Sequence, residues 1–210
     1  FFSIRFIKEG NLIKFAVCVF IAFGFHMVAL IFMPAYFIYR KRFSTKFLIG
    51  VLVMFIPCIE MFSNMIARLV IYLGTRLNNG YYLVYFENFN GVRKVGIFSL
   101  LINLCIFVWT SLYLDRKDPE NNGLLNLQYI AVVLSVLNGA LPQINRFRFM
   151  YGIFSLLLIP KAIMSQKDNR FNKYISLAAI SVMFLIYSLY IEGYMNQSGV
   201  VPYISILGKG

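Results

Sequence analysis

The 210-residue chain is predicted to form an all-α bundle of about six or seven transmembrane segments, some of them short or broken. Its composition is 60% hydrophobic and only 13% charged, roughly half the charged share of a soluble domain. Apolar runs separated by charged connections recur along its length, and each crossing needs about 20 apolar residues. We therefore expect residues 1–210 to be a single transmembrane domain. Because apolar sequence begins at Phe1, we expect this domain to be the C-terminal part of a longer polytopic protein.

The first apolar run, residues 12–39, is too long for one straight crossing. As a continuous helix it would measure about 42 Å, whereas the hydrocarbon core is about 30 Å thick. Gly24 and His26 lie at its middle and are its poorest apolar helix formers. The run is therefore predicted to be a hairpin of two short helices that meet at residues 23–26.

The second run, residues 47–74, is interrupted by Pro57 and Glu60. Proline ends or kinks a helix, so we expect a span to about Cys58. A second piece, residues 61–73, is predicted to be interfacial or re-entrant, with Arg68 on its polar side. Four simpler spans are predicted after it, at residues 95–114, 124–141, 149–163 and 175–191.

The basic residues set the predicted orientation. Of the 20 lysines and arginines, 13 fall in one set of connections (residues 1–14, 39–46, 115–123 and 161–173), six fall in the other, and Arg68 lies within an apolar segment. The positive-inside rule places the first set in the cytoplasm. The bias disappears if residues 12–39 cross only once, which supports the hairpin. Loop charge also explains the net charge of +12, so no nucleic-acid partner is expected.

Cysteine and histidine usage argues against a metal centre or another cofactor. The three cysteines lie in three separate apolar segments, and the chain has one histidine. Neither pattern fits a disulfide framework, a thiolate site or a multi-histidine site. We therefore expect no cofactor and metal-independent chemistry.

The second set of connections contains arginines, although the positive-inside rule predicts few basic residues on the outer side. Arg93, Arg146 and Arg148 are predicted to lie on the outer side, where guanidinium groups can bind phosphate bidentately. They suggest an anionic, lipid-linked substrate, although snorkelling to lipid phosphates is the simpler alternative.

Other polar and aromatic side chains are predicted on that outer side. His26 is expected at the hairpin tip, where it is either a satisfied helix-break histidine or a functional group. Tyr82 and Tyr85 could stack on a sugar or form part of an interfacial belt.

Several short motifs together resemble one family. A basic turn at residues 6–15 precedes Phe25-His26 and a Pro-x-Tyr pattern, and a Tyr-x-x-Tyr loop precedes a lone arginine. An Arg-Phe-x-x-Tyr pattern then leads into a late span, and a Pro-Tyr pair lies near the end. These motifs resemble the Wzy-like polysaccharide polymerases of the EpsG type; they comprise Pro34, Tyr36, Tyr82, Tyr85, Arg93, Arg146, Phe147, Tyr151, Pro202 and Tyr203. Val28 stands where the family usually has serine, and the family's preceding Arg-Gln motif is absent.

The resemblance implies a GT-C-like glycosyltransferase of the bacterial inner membrane. It would join undecaprenyl-diphosphate-linked oligosaccharide repeat units at the outer face, making O-antigen, capsule or exopolysaccharide. Membrane lipid and a chain-length regulator are the implied partners. Arg146 would bind the diphosphate and His26 would be a general base or an orienting group. The implied substrate contacts are Arg93, Arg148, Tyr82, Tyr85 and Tyr151. A flippase of lipid-linked saccharides and a non-enzymatic export component are the alternatives.

Overall fold

The computed structural model describes residues 2–55, 97–137, 144–166 and 170–190, with the single positions 57, 58, 61, 64, 65, 68, 69, 72 and 76. Every element of regular structure in these ranges is helical, as predicted. The helices are α1 Phe2–Lys8, α2 Leu12–Phe25, a 3₁₀ segment Met27–Phe32, α3 Ala35–Arg40, α4 Thr45–Phe55, α5 Ile97–Tyr113, α6 Pro119–Val136, α7 Ile144–Gly152, α8 Ser155–Ser165 and α9 Arg170–Ser188. The chain forms two compact units, Phe1–Ala162 and Ile163–Gly210.

The surface of these helices is apolar. Phe25 is 91% exposed and Leu112 is 76% exposed, which would be costly in water but suits contact with lipid. Two helical stretches are long and apolar enough to cross a membrane, Ile144–Ser165 and Arg170–Ser188. Three shorter apolar stretches accompany them, Leu12–Phe25, Val28–Arg40 and Phe98–Tyr113.

The first run is a hairpin, as predicted. Helix α2 ends at Phe25, the backbone of His26 is extended, and the chain returns through the 3₁₀ segment and α3. The ring of Phe15 lies 6.0 Å from that of Phe32 and 5.6 Å from that of Tyr36, and the Tyr36 hydroxyl donates to the Gly10 carbonyl at 2.7 Å. Both ends of the run therefore lie on one side. Half of the returning arm is 3₁₀ rather than α-helical.

The second run breaks near Pro57, as predicted, because α4 ends at Phe55. The described positions from 61 to 76 are helical and exposed, and they include Arg68. Arg76 stacks on the ring of Tyr72 at 5.6 Å. Glu60 lies outside the described residues.

Helix α5 matches the predicted span 95–114, and α9 matches the span 175–191 with a start five residues earlier. The prediction for residues 124–141 was wrong in position. Helix α6 starts at Pro119, because the Asp118 side chain accepts from the backbone N–H of Glu120 at 3.0 Å and proline suits the first helical position. It ends at Val136.

The predicted span 149–163 is two helices, α7 and α8, separated by a turn at Ile153 and Phe154. Helix α7 begins at Ile144. Arg146 and Arg148 therefore belong to a helix and not, as predicted, to the connection before one.

Helix α6 lies at the centre of the first unit. It packs against α3, α4, α5 and α7, and twelve of its residues are buried. Gly123 allows the closest approach, because a Cβ atom at this position would lie only 2.4 Å from the ring of Tyr39. A polar helix can occupy this position because its neighbours shield it from lipid.

Polar contacts join four connections at one end of the unit, which we call the basic end. Glu120 forms ion pairs with Lys8 at 2.9 Å and Lys161 at 2.5 Å. Asn126 donates to the carbonyls of Ile38 at 3.0 Å and Lys41 at 2.7 Å. These residues come from, or adjoin, all four connections assigned to one side by their lysines and arginines. The meeting of Lys8, Lys41, Glu120 and Lys161 agrees with the prediction that these parts of the four connections share a side.

We expect Gly123→Ala to destabilise the protein by about 1–3 kcal/mol, the usual cost of overpacking a core. The added methyl group would collide with Tyr39. Gly50→Ala is the matched control, because no atom lies within 4 Å of a Cβ built there. Thermal unfolding in detergent measures both variants, and equal midpoints would contradict the packing at Gly123.

Glu120 is expected to make stability depend on pH. Its hydrogen bonds to Lys161 and Lys8 hold the pKa of this carboxyl below its usual value. The ion pairs therefore stabilise the fold above the unfolded-state pKa of about 4.3, and this contribution is lost as pH falls through the lower folded-state pKa. The difference in unfolding temperature between wild type and Glu120→Gln should be largest near pH 7 and shrink below about pH 4. A difference independent of pH would contradict this.

Candidate functional site

A layer of buried amide side chains crosses the interior of the first unit. Gln128 on α6 donates through Nε2 to Oδ1 of Asn103 on α5 at 3.2 Å, and Asn103 donates to the Ser99 carbonyl at 2.9 Å. All three residues are buried. Sequence reasoning missed Asn103 and Gln128. The available signal was a polar side chain within an otherwise apolar span, which usually marks an interior or functional position.

Helix α7 also contacts this layer. A Cβ atom at Gly152 would lie 3.6 Å from Asn103 Oδ1 and 3.7 Å from Ala131 Cβ. Because Glu120 also pairs with Lys161, the chain after residue 144 runs antiparallel to α6. The same register places Arg148, one turn before Gly152, about level with Ser135 of α6. Arg148 and the amide layer thus belong to the part of the unit away from the basic end.

Arg148, one helical turn beyond this layer, is the most unusual side chain of α7. It is only 7% exposed, and its guanidinium lies 4.6 Å from the centre of the Phe149 ring. Its buried Nε atom has no hydrogen-bond partner within the described ranges. A buried cation is stable only when an anion or several acceptors compensate it. Arg148 therefore presents a donor suited to an anion.

Two other buried acceptors of the first unit also lack donors. The buried Oδ1 of Asn145, three residues before Arg148 on α7, and the buried Oε1 of Gln128 have no hydrogen-bond partner in the described part of the chain. Positions i and i+3 share a helix face. A guanidinium beside carboxamide oxygens can take a phosphate group together with a hydroxyl group.

Arg146 occupies a different face of α7. It is exposed, and a separation of two residues turns it about 200° around the helix axis from Arg148. The two arginines therefore do not line one pocket through α7 alone.

Tyr151 links α7 to the hairpin. Its hydroxyl donates to the carbonyl of Ile31 at 2.9 Å, and its ring lies 5.5 Å from that of Phe32. Both His26 and Arg148 lie beyond this contact, away from the basic end. The hydroxyl of Tyr151 is thus already bonded within the protein.

His26 is exposed at the hairpin tip. Its Nδ1 accepts from the backbone N–H of Val28 at 3.4 Å and caps the 3₁₀ segment. A neutral imidazole that accepts at Nδ1 carries its proton on Nε2. His26 therefore offers a donor at Nε2. Arg93, Tyr82 and Tyr85 lie outside the described residues.

The apolar outer surfaces of the described helices, packed around a buried arginine and buried amides, are those of a helical membrane protein. Residues 1–205 match the EpsG family. The chain therefore belongs to the EpsG family, a family of Wzy-like polymerases. Comparison with the curated proteins and with solved structures gives no significant match.

Arg148→Met should leave the unfolding temperature equal to or above that of wild type, because it removes a buried charge whose Nε atom lacks a partner among the described residues and keeps an unbranched apolar stem. Asn126→Leu is the contrasting variant, since it removes two backbone-directed hydrogen bonds and should lower the midpoint. An equally large fall for both variants would mean that Arg148 is structural.

Proposed function

We propose that the protein is a polysaccharide polymerase that joins lipid-diphosphate-linked oligosaccharide repeat units, with undecaprenyl diphosphate as the carrier. The observation that carries this proposal is the buried Arg148, whose Nε lacks a partner among the described residues and lies one turn from the unpaired Asn145 oxygen. A donor for phosphate next to an acceptor for hydroxyl groups matches the sugar–diphosphate junction of such a substrate.

The reaction joins two substrates without a change of oxidation state. The acceptor hydroxyl oxygen bonds to the anomeric carbon of the donor sugar, and the bond from that carbon to the diphosphate oxygen breaks. The hydroxyl proton passes to a phosphate oxygen of the leaving group. Arg148 stabilises the negative charge that develops on the diphosphate, which is the largest electrostatic demand of this step. This chemistry is proposed to proceed without a metal or cofactor.

The remaining residues are assigned by position. His26 orients a substrate oxygen through Nε2–H rather than acting as the base, since Nδ1 already accepts from Val28. Arg146, exposed on the other face of α7, is proposed to contact the diphosphate of a lipid-linked unit at the membrane surface, apart from Arg148. Tyr151 positions α7 against the hairpin through Ile31. Arg93 is proposed as a further phosphate contact, and Tyr82 and Tyr85 as sugar contacts.

The proposed location is the bacterial inner membrane, with several crossings. The lysines and arginines of the basic end support a cytoplasmic location for that end. Arg148 would then lie towards the outer leaflet, where lipid-linked units would be joined. A chain-length regulator is the proposed protein partner there.

Arg148→Ala in the full-length protein should reduce polymer formation by about 10²-fold, the usual effect of losing one donor to a developing anion. Polysaccharide length is read on a gel from cells that lack the wild-type protein. Arg148→Lys should retain part of the activity, because the charge remains but the planar fork is lost. Arg5→Ala is the control, since Arg5 is exposed and forms its ion pair with Glu9 on the same helix, and its ladder should equal that of wild type.

The polysaccharide products show whether each arginine is needed, and they distinguish a polymerase from a flippase. Wild-type ladders from Arg148→Ala, with normal protein levels, would overturn its role. Arg146→Ala tests the surface contact in the same way. Accumulation of single repeat units at the outer face supports a polymerase, whereas loss of units from that face would indicate a flippase.

Amide replacements test the orienting role of His26. Glutamine places a donor near the position of Nε2, while asparagine reproduces only the Nδ1 acceptor that caps Val28. We expect His26→Gln to keep more polymerisation activity than His26→Asn. The reverse order would show that capping of the 3₁₀ segment is the main contribution, and complete loss in both would favour proton transfer by the imidazole.

A further inference from the structure

A second polar site lies at the basic end, away from Arg148. A cleft of about 430 Å³ opens between the α3–α4 connection and the α5–α6 connection. This volume falls in the ~300–1,000 Å³ range of small-molecule sites. Its lining residues are Arg42, Phe43, Ser44, Asp115, Arg116, Lys117 and Asn122.

The charge of the cleft favours an anion. Three cationic side chains line it against a single carboxylate, that of Asp115. This carboxylate already accepts from the backbone N–H of Lys117 at 2.8 Å. The cleft therefore keeps a net positive charge that its own acid does not neutralise.

Arg116 is the most informative residue of the cleft. It is half-buried, and its Nε atom is buried without a hydrogen-bond partner among the described residues. Its only hydrogen bond found in those ranges is a long one, from Nη2 to Oδ1 of Asn126 at 3.4 Å. Burial also lowers the pKa of the guanidinium, which indicates a positive charge without enough nearby anions or acceptors to provide compensation. An oxyanion in the cleft would supply it.

The opposite wall offers complementary groups. Arg42 reaches across the cleft, where its Nη2 donates only a marginal bond to the Lys117 carbonyl at 3.5 Å. The Ser44 hydroxyl accepts from the backbone N–H of Phe47 at 3.2 Å, and its own proton is free to be donated. A phosphate group fits these donors, because it accepts several hydrogen bonds and two guanidinium groups at once.

We propose that this cleft binds the phosphate group of an anionic ligand, which bridges Arg42 of one connection and Arg116 of the other. Two sources share this chemistry, an anionic phospholipid headgroup and a soluble phosphate compound. The bridge would fasten the α3–α4 connection to α6, next to the Asn122 and Asn126 contacts with the Lys41 carbonyl. Ligand binding at this site should therefore stabilise the folded protein.

Thermal unfolding of the purified full-length protein tests the proposal. In neutral detergent, inorganic phosphate and pyrophosphate are titrated at constant ionic strength against chloride. In parallel, the protein is placed in nanodiscs of phosphatidylcholine with or without phosphatidylglycerol. We expect the unfolding temperature to rise by about 5 °C, and the rise to saturate, at ligand concentrations ~100-fold above Kd. A rise in the first arm identifies a soluble ligand, and a rise confined to the second identifies a lipid headgroup.

Variants test whether the rise in unfolding temperature comes from this cleft or from basic residues elsewhere. Arg116→Gln and Arg42→Gln should each abolish the rise, whereas Arg5→Gln removes the same charge from an exposed position and should keep it. If Arg116→Gln does not fold, Arg42→Gln still decides the question, because its hydrogen bond is marginal. The absence of a rise in both arms, or an equal rise in Arg42→Gln and wild type, would overturn the proposal. Arg148→Met should keep the rise, so this result does not depend on the proposed polymerase site.

Discussion

The satisfaction of polar groups on α6, inside an apolar bundle, is the constraint on which the rest of the structure depends. Hydrocarbon cannot hydrogen-bond, so each polar atom of this helix must find its partner within the protein. Asn122 and Asn126 meet this need by donating to the Lys41 carbonyl, and Glu120 meets it through two lysines. These contacts fix α3, the preceding hairpin and α8 around α6. Gly123 then sets how closely Tyr39 can pack.

The same constraint makes the unsatisfied atoms informative. Most buried side-chain polar groups around α6 are paired, so the unpaired Nε of Arg148 and Oε1 of Gln128 are exceptions within the described ranges. Membrane proteins place ionisable interior residues where function requires them, because they cost stability. At the basic end, the unpaired Nε of Arg116 lies beside a cationic cleft. The first unit therefore has two separate places where a buried guanidinium Nε lacks a partner among the described residues.

Much of the fold followed from simple patterns. The length of residues 12–39 and the central Gly24 and His26 were sufficient to predict the hairpin, because a single crossing cannot be so long. Positive-inside counting correctly grouped four connections that meet at Glu120 and Asn126. The position of α6 was not predicted, since its first two turns are polar and do not stand out as part of an apolar span. The break at Ile153 and Phe154 was also missed, because the signal beside it, Gly152 at the end of α7, is also common inside transmembrane helices.

The sequence alone determined the class of protein, since composition, run lengths and the family's short motifs do not depend on how the helices pack. It also singled out Arg146, Arg148 and His26 as candidates. Only the tertiary structure separated the two arginines, because burial depends on which face of α7 meets α6. The pairing of Asn103 with Gln128 and the contact of Tyr151 with Ile31 likewise join residues 25 and 120 positions apart. Such contacts are decided by helix packing, which no local pattern records.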